Sequence, residues 1–285
     1  MNATLRWNGR TLHLGRRAHV MGVLNVTPDS FSDGGRYFGT DRAVAHGIEM
    51  EKHGADIIDV GGESTRPFSQ PISAGEEIDR VVPVIEALSR EVTAAISIDT
   101  CKAQVAREAL GAGASMINDI SALRFDPDMA GTVARAGVPV VLMHMKGTPR
   151  DMQKNPVYED LITEILDFLR EAVERCEEAG IQRELTLVDP GIGFGKTFDH
   201  NLQIIRDLAR FQSLGRPILI GPSNKAFIGH ILDRAPDERD TGTMAAVAAG
   251  VMNGAHMVRV HNVRKAVETV RIIDAIKRGK AEGQG

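Results

Sequence analysis

Short apolar runs and amphipathic stretches alternate eight times along this chain, and that rhythm narrows the fold more than any other feature. The apolar runs fall at residues 19–25, 56–60, 95–99, 115–118, 138–144, 185–189, 217–221 and 256–260. Most are continuous and rich in Val and Ile, as parallel strands covered on both faces require. Helical patterns follow them at 42–53, 76–90, 102–111, 127–136, 157–179, 201–211, 225–253 (broken near Pro236) and 263–280. Gly54, Gly111, Gly137 and Gly180 stand where helix C-caps belong. Eight such units predict a (β/α)8 TIM barrel, with an open doubly wound sheet as the competing architecture. Ahead of them, strand-like residues 4–7 and 11–14 flank Asn8-Gly9, a strong hairpin signal. A hairpin over residues 1–17 is expected to plug one end. No linker, low-complexity tract or composition shift divides residues 1–285, so a single domain is expected, with 279–285 a disordered tail.

Composition excludes several function classes. A formal net charge of −4 gives no reason to expect a general nucleic-acid or membrane-surface binder. No apolar run reaches the ~18 residues of a membrane span. Arg6, Asn8, Arg10, His13, Arg16 and Arg17 interrupt any signal-peptide core in the first twenty residues. Cys101 and Cys176 are too few for a disulfide framework. A reducing cytoplasm is the expected compartment.

A barrel places its active site at the carboxyl ends of its strands. Here those ends carry polar residues all round: Asn25, then Asp59 with Glu63 to Arg66, Asp99, Asn118-Asp119, His144, Asp189, Ser223-Asn224-Lys225, and Arg259 with His261. Any one of them is explained by local structure. Eight together imply a polar ligand, because buried polar groups are costly unless paired. Asp59, Asp99, Asn118 and Asp189 offer acceptors and an amide to a nitrogen-rich heterocycle. Lys225, Arg259 and His261 offer positive charge to an anion, though structural pairing with Asp or Glu remains open for Arg259 and His261. The run 189–196, DPGIGFGK, lacks the Gly-Lys-Ser/Thr ending of a phosphate loop. It reads as a tight loop whose backbone approaches a flat ligand, with Phe194 as a stacking face. His46, His53, His144 and His200 show no metal-ligand spacing. His46 and His53 read as helix-surface residues. His144 stays open between orienting the site and closing the core.

The run 21–35, MGVLNVTPDSFSDGG, passes from a buried strand into a loop of turn formers around Phe31. A loop like this over a barrel mouth reads as a lid or a binding loop. With DVGGESTRP at 59–67, SIDT at 97–100, INDI at 117–120, LMHMKGTPR at 142–150, DPGIGFGK at 189–196, KAFIG at 225–229 and RVHNV at 259–263, it makes the chain resemble the bacterial dihydropteroate synthases over essentially the whole barrel.

The resemblance implies condensation of 6-hydroxymethyl-7,8-dihydropterin diphosphate with 4-aminobenzoate, giving 7,8-dihydropteroate and diphosphate, with Mg²⁺ on the leaving group. It implies that Asn25 holds the Mg²⁺–diphosphate assembly and that Arg259 and His261 bind diphosphate. Asp99, Asn118, Asp189 and Lys225 would hold the pterin, with Met143 packed against it. Thr65, Arg66, Pro67, Phe194, Ser223 and Lys225 would form the 4-aminobenzoate pocket, which sulfonamides also enter. Loops 26–39 and 64–73 would close over the site. A homodimer through the last helices is the family expectation. Three positions depart from the pattern: Asn224 replaces an arginine, Phe68 a glycine and Asn262 an aspartate. They bear on the anchoring of the seventh loop, the path of the second, and a charge partner near the eighth. A methyltetrahydrofolate–corrinoid methyltransferase and a non-catalytic pterin-binding paralogue are the rival readings.

Overall fold

A computed structural model describes residues 4–27, 36–64 and 69–281, with the side chains of residues 36–38 excepted. The chain opens with the expected hairpin, β1 (Thr4–Trp7) paired antiparallel with β2 (Arg10–His13). Asn8 and Gly9 both take positive φ, 44° and 74°, the turn chemistry that Asn-Gly supplies most readily. Leu5, Trp7 and Leu14 are buried, and Arg10 donates to the carbonyl of Thr93, just ahead of the third barrel strand. The hairpin therefore covers the amino-terminal end of the barrel.

Eight parallel strands follow: β3 (His19–Asn25), β4 (Ile57–Gly61), β5 (Ala95–Asp99), β6 (Met116–Asp119), β7 (Val140–Met143), β8 (Thr186–Asp189), β9 (Leu219–Ile220) and β10 (Met257–Val260). Their order is β8-β7-β6-β5-β4-β3-β10-β9. A single parallel bridge, Val188 to Ile218, closes the ring, with the Val188 N–H donating to the Pro217 carbonyl at 3.0 Å. The helices between and after them are α1 (Arg36–Lys52), α2 (Ala74–Glu91), α3 (Ala103–Gly111), α4 (Met129–Ala136), α5 (Leu161–Glu178), α6 (Phe198–Arg206), α7 (Ala226–Leu232), α8 (Asp240–Met252) and α9 (Val263–Arg278). In α2 the buried set Val81, Val84, Ile85 and Leu88 repeats at helical spacing and packs inward. Ser73 and Glu76 close a reciprocal capping box at its start. Among the described residues no helix is long and apolar enough to cross a membrane.

Three local expectations change. The seventh barrel strand shrinks from 217–221 to Leu219–Ile220, since Pro217 has no N–H to give to a ladder. Gly111 does not cap its helix. Ala112 does, and Gly113 takes the left-handed turn at φ 119°, where a Cβ would stand 2.5 Å from Ser89 Cβ. The sixth helix ends at Arg206 and hands over to a 3₁₀ segment, Leu208–Leu214. The stretch 225–253 breaks near Pro236 as expected, into α7 and α8 separated by a 3₁₀ turn at Pro236–Glu238.

Candidate active site at the carboxyl mouth of the barrel

Strand register builds the floor. Asn25 pairs with Gly61, Gly61 with Asp99, and Asp99 with Asn118, so one layer crosses four strands. Gly61 has no side chain, which keeps the space between Asn25 Oδ1 and Asp99 open. Below this layer Asp59 is fully buried. Its Oδ2 accepts from Asn118 Nδ2 at 3.0 Å and from Arg259 Nε at 2.6 Å, while Oδ1 has no partner. Arg259 Nη2 also donates to Asp99 Oδ2 at 2.6 Å. The structural pairing left open for Arg259 is thus present, and it engages two corners of the guanidinium. Burial opposes the Arg259 charge, but Asp59 and Asp99 outweigh it and hold the group above its ordinary range. Burial pushes the Asp99 carboxyl well up, against the pull of Arg259. Asp59 is more than the one acceptor among several that its strand end predicts. The structure makes it the hub that orients both Asn118 and Arg259.

The opposite wall comes from the glycine-rich turn after β8. Gly191, Gly193 and Gly195 all have positive φ, between 64° and 84°. A Cβ on Gly191 would fall 1.9 Å from the His144 carbonyl oxygen, and one on Gly193 2.7 Å from the Lys225 side chain. Only glycine permits that approach. Asp189 Oδ1 accepts from the Gly191 N–H at 2.7 Å, and burial raises this carboxyl to about 6. Lys225 Nζ lies 4.1 Å from the centre of the Phe194 ring, a cation–π contact. Burial and the nearby Arg259 bring this ammonium down to about 8. Met143 is buried with Ile120, Met145 and Met152 in a small apolar cluster against which Phe194 packs.

His144 and Lys196 form a pair that spacing did not reveal. Lys196 is 2 % exposed, and its Nζ sits 2.9 Å from both His144 Nδ1 and the Phe194 carbonyl. Burial, offset in part by Asp189, lowers this ammonium to about 7, and burial holds His144 well below its usual range. His144 also meets the Phe168 ring edge-on at 4.8 Å. His144 is thus linked to the glycine-rich turn through Lys196. His46 and His200 stay on helices α1 and α6, and His53 just follows α1. Asp119 is spent on the backbone of its own loop, accepting from Ser121 and Leu123 at 2.7 and 3.0 Å.

At the seventh and eighth loops Ser223 Oγ lies 2.8 Å from His261 Nδ1 and accepts from the His261 N–H at 3.2 Å. Asn224 has φ 57°, a left-handed conformation that asparagine takes more readily than arginine. Its N–H donates to Thr243 Oγ1, and its carbonyl accepts from Arg239. Asn262 is the N-cap of α9, and its amide also donates to Asp240 Oδ2 at 2.8 Å. An ionised aspartate there has no hydrogen to donate, so the change replaces a charge partner with a hydrogen bond.

The root of the second loop is tied down by Lys102, whose ammonium meets Glu63 and buried Glu77 at 2.5 Å each, and by Arg80, which donates to the Gly62 carbonyl. Thr65, Arg66, Pro67 and Phe68, and most of the first loop with Phe31, lie outside the described residues.

The family model described as pterin binding enzyme matches residues 21–261. The chain is 47% identical over 257 residues to the dihydropteroate synthase of Escherichia coli K12, covering 90% of this chain and 91% of that one. It superposes with a TM-score of 0.91 on the Yersinia pestis dihydropteroate synthase in complex with a sulfonamide drug, at 45% identity, covering 97% of this chain and 100% of the other. The Xanthomonas albilineans dihydropteroate synthase in complex with 7,8-dihydropteroate gives a TM-score of 0.87 at 42% identity, with 96% and 98% covered.

Proposed function

The chain belongs to the pterin binding enzymes and, within them, to the dihydropteroate synthases, and from that premise we propose how its barrel mouth carries out the transfer. The amine nitrogen of 4-aminobenzoate forms a bond to the methylene carbon of the pterin diphosphate. The carbon–oxygen bond breaks, diphosphate leaves with the electron pair, and the new secondary amine sheds one proton. The single observation that carries this reading is the polar cluster of Asp59, Asp99, Asn118, Asp189, Lys225 and Arg259 facing a wall of Phe194 and Met143.

Asp189, Asn118 and Lys225 hold the edge of the pterin, and Met143 packs on its face. Asp99 stands where positive charge grows on the ring as diphosphate departs. Such preorganised charge acts most strongly where water is excluded. Arg259 keeps guanidinium hydrogens beyond those engaged by Asp59 and Asp99, and with His261 it receives the leaving diphosphate. Phe194, Ser223 and Lys225 line the second-substrate side, with Thr65, Arg66 and Pro67 completing it. Sulfonamides compete for this part of the site.

Mg²⁺ fits this donor set as a guest of the diphosphate. Among the described residues no cluster of His, Cys, Asp and Glu could hold a metal on its own. Asn25 contributes one hard amide oxygen at the open end of β3. Magnesium commonly binds through few protein ligands plus substrate phosphates and water. When bound there, it would neutralise charge on the leaving group.

A homodimer is supported by an apolar groove of about 360 Å³ between α6, α7 and α8, lined by Leu202, Phe227, Ile228, Ile231 and Leu232. Ile231 and Leu232 are 56% and 43% exposed, and a second copy would cover them. The two free cysteines support a reducing cytoplasm as the workplace.

Methyl transfer has no comparable support, since it makes no use of the Lys225, Arg259 and His261 cations. The test is diphosphate release from pterin diphosphate and Mg²⁺, with and without 4-aminobenzoate. Release coupled to dihydropteroate, and lost in Lys225→Ala, is the expected result. Pterin binding without coupled product would instead favour the binding paralogue.

A further inference from the structure

Lys225 sits after the shortest strand of the barrel, so the ladder alone does little to fix it. β9 contributes two residues, and the five residues from Gly221 to Lys225 separate it from α7. The loop is held from outside. The Asn224 N–H donates to Thr243 Oγ1 at 3.1 Å, and its carbonyl accepts from Arg239 Nη1 at 3.0 Å. Arg239 Nε donates to the Arg234 carbonyl at 3.1 Å. The guanidinium lies so close on Gly229 of α7 that a Cβ there would be 2.3–2.4 Å from Nη2, Cζ and Nε. Asp240, next in the chain, accepts from Asn262 Nδ2 at 2.8 Å and from Lys265 Nζ at 3.0 Å. Asn262 follows His261, and His261 returns to Ser223 through Nδ1 at 2.8 Å. The contacts form a closed circuit: Ser223, Asn224, Arg239, Asp240, Asn262, His261 and back to Ser223. It joins the two cationic loops through a dipeptide distant from the reacting atoms.

We propose that Arg239 is a positioning residue, which, lying flat on Gly229 and holding the Asn224 carbonyl, sets Lys225 against Phe194 and fixes its spacing from His261. The argument rests on the synthase reading for what Lys225 contacts, but the placement itself does not. Planarity is essential to it. The fork must reach two carbonyls while lying against a residue without a side chain, and a lysine ammonium lacks that shape. The left-handed backbone of residue 224, whose Oδ1 also accepts from Thr243 Oγ1 at 3.4 Å, and the Asn262–Asp240 hydrogen bond account for the asparagines at two of the three unusual positions.

Two variants test this from opposite sides. Arg239→Ala deletes the fork. Gly229→Ala leaves it in the chain but drives it off α7, while raising the helix propensity of that position. Each is read by melting temperature, by steady-state kinetics for both substrates, and by an NMR titration of the Lys225 ammonium, which needs no turnover. Around that ammonium stand Arg259, Asp189 and Asp99. Both variants are expected to stay folded and to lose at least tenfold in kcat/KM. In both, the Lys225 titration should move up toward that of a free lysine, as the side chain leaves its buried place. The proposal is overturned if both folded variants keep kcat/KM within twofold and leave the titration in place. It is also overturned if only Arg239→Ala loses activity while Lys225 titrates as before, which marks a purely structural arginine. An inactive wild-type chain would count against the synthase reading, and the titration would still decide the role of Arg239.

Discussion

Two lysines near the site, Lys196 buried and Lys225 half-buried, give opposite lessons about charge. Lys225 faces the open mouth and is proposed to touch substrate. Lys196 lies beneath the glycine-rich turn, donating toward His144 and the Phe194 carbonyl. Its ammonium titrates near 7 when folded, against 10.5 when unfolded. Between those values the unfolded chain holds more protons, so stability rises with pH from about 7 toward 10.5. Denaturant melts across pH 7–10 should show that rise, and Lys196→Met should flatten it in part, leaving the share that Lys225 contributes above about 8. The carboxyls act with the other sign. Asp189 reaches about 6 when folded, so its contribution to stability is present below 3.8 and is lost as pH rises toward 6. If Asp189 holds the pterin edge as a carboxylate, as proposed, pterin affinity should fall as pH drops through about 6, and Asp189→Asn should remove that dependence in a calorimetric titration. At Gly191, where a Cβ would meet the His144 carbonyl at 1.9 Å, alanine should cost about 1–3 kcal/mol or more and lower the melting temperature.

Elements, rather than single residues, decide how the loops are presented. The root of the second loop is fixed by α2 and the start of α3 through Arg80, Glu77 and Lys102. The start of α2 is itself fixed by the capping box of Ser73 and Glu76. Ser73→Ala should therefore cost about 1 kcal/mol. In a domain of this size that is a fall of roughly 2–4 °C in melting temperature, read by circular dichroism. The capping box was not singled out from sequence, although Ser-x-x-Glu ahead of an apolar run is a legible signal. The Lys102 bridge was not legible in that way. Glu63 and Glu77 lie 14 residues apart in one β/α unit and Lys102 in the next, and only the fold brings the three together.

At the scale of the whole molecule, the outer face of α6, α7 and α8 is one apolar surface a monomer leaves exposed, and α9 exposes Ile272 and Ile276 as well. Ile231→Glu places a charge in that groove while leaving the mouth of the barrel untouched. Sedimentation should find a dimer for the parent chain and a monomer for the variant. A parent chain that sediments as a monomer would exclude the dimer.

The sequence by itself determined the architecture, the rim of polar strand ends and the family, because each is written in short-range pattern. Burial on both faces makes parallel strands continuous apolar runs, and a strand end is marked wherever such a run meets a polar residue. Gly191, Gly193 and Gly195 likewise mark a backbone turn in the sequence, and all three take positive φ. Tertiary structure alone decided the pairings. Asp59 and Arg259 are 200 residues apart in the chain, Asp99 and Arg259 160, and they meet only because the barrel brings β4, β5 and β10 together, with Arg259 spanning the layers of the two carboxylates. Asn224 and Asn262 read as lost charges in the sequence. In the fold they are a left-handed turn residue and a helix cap, joined to Arg239 and Asp240. Identity and spacing specify which groups a chain carries. Which of them compensate one another is a matter of distance in space, and barrel closure sets that distance.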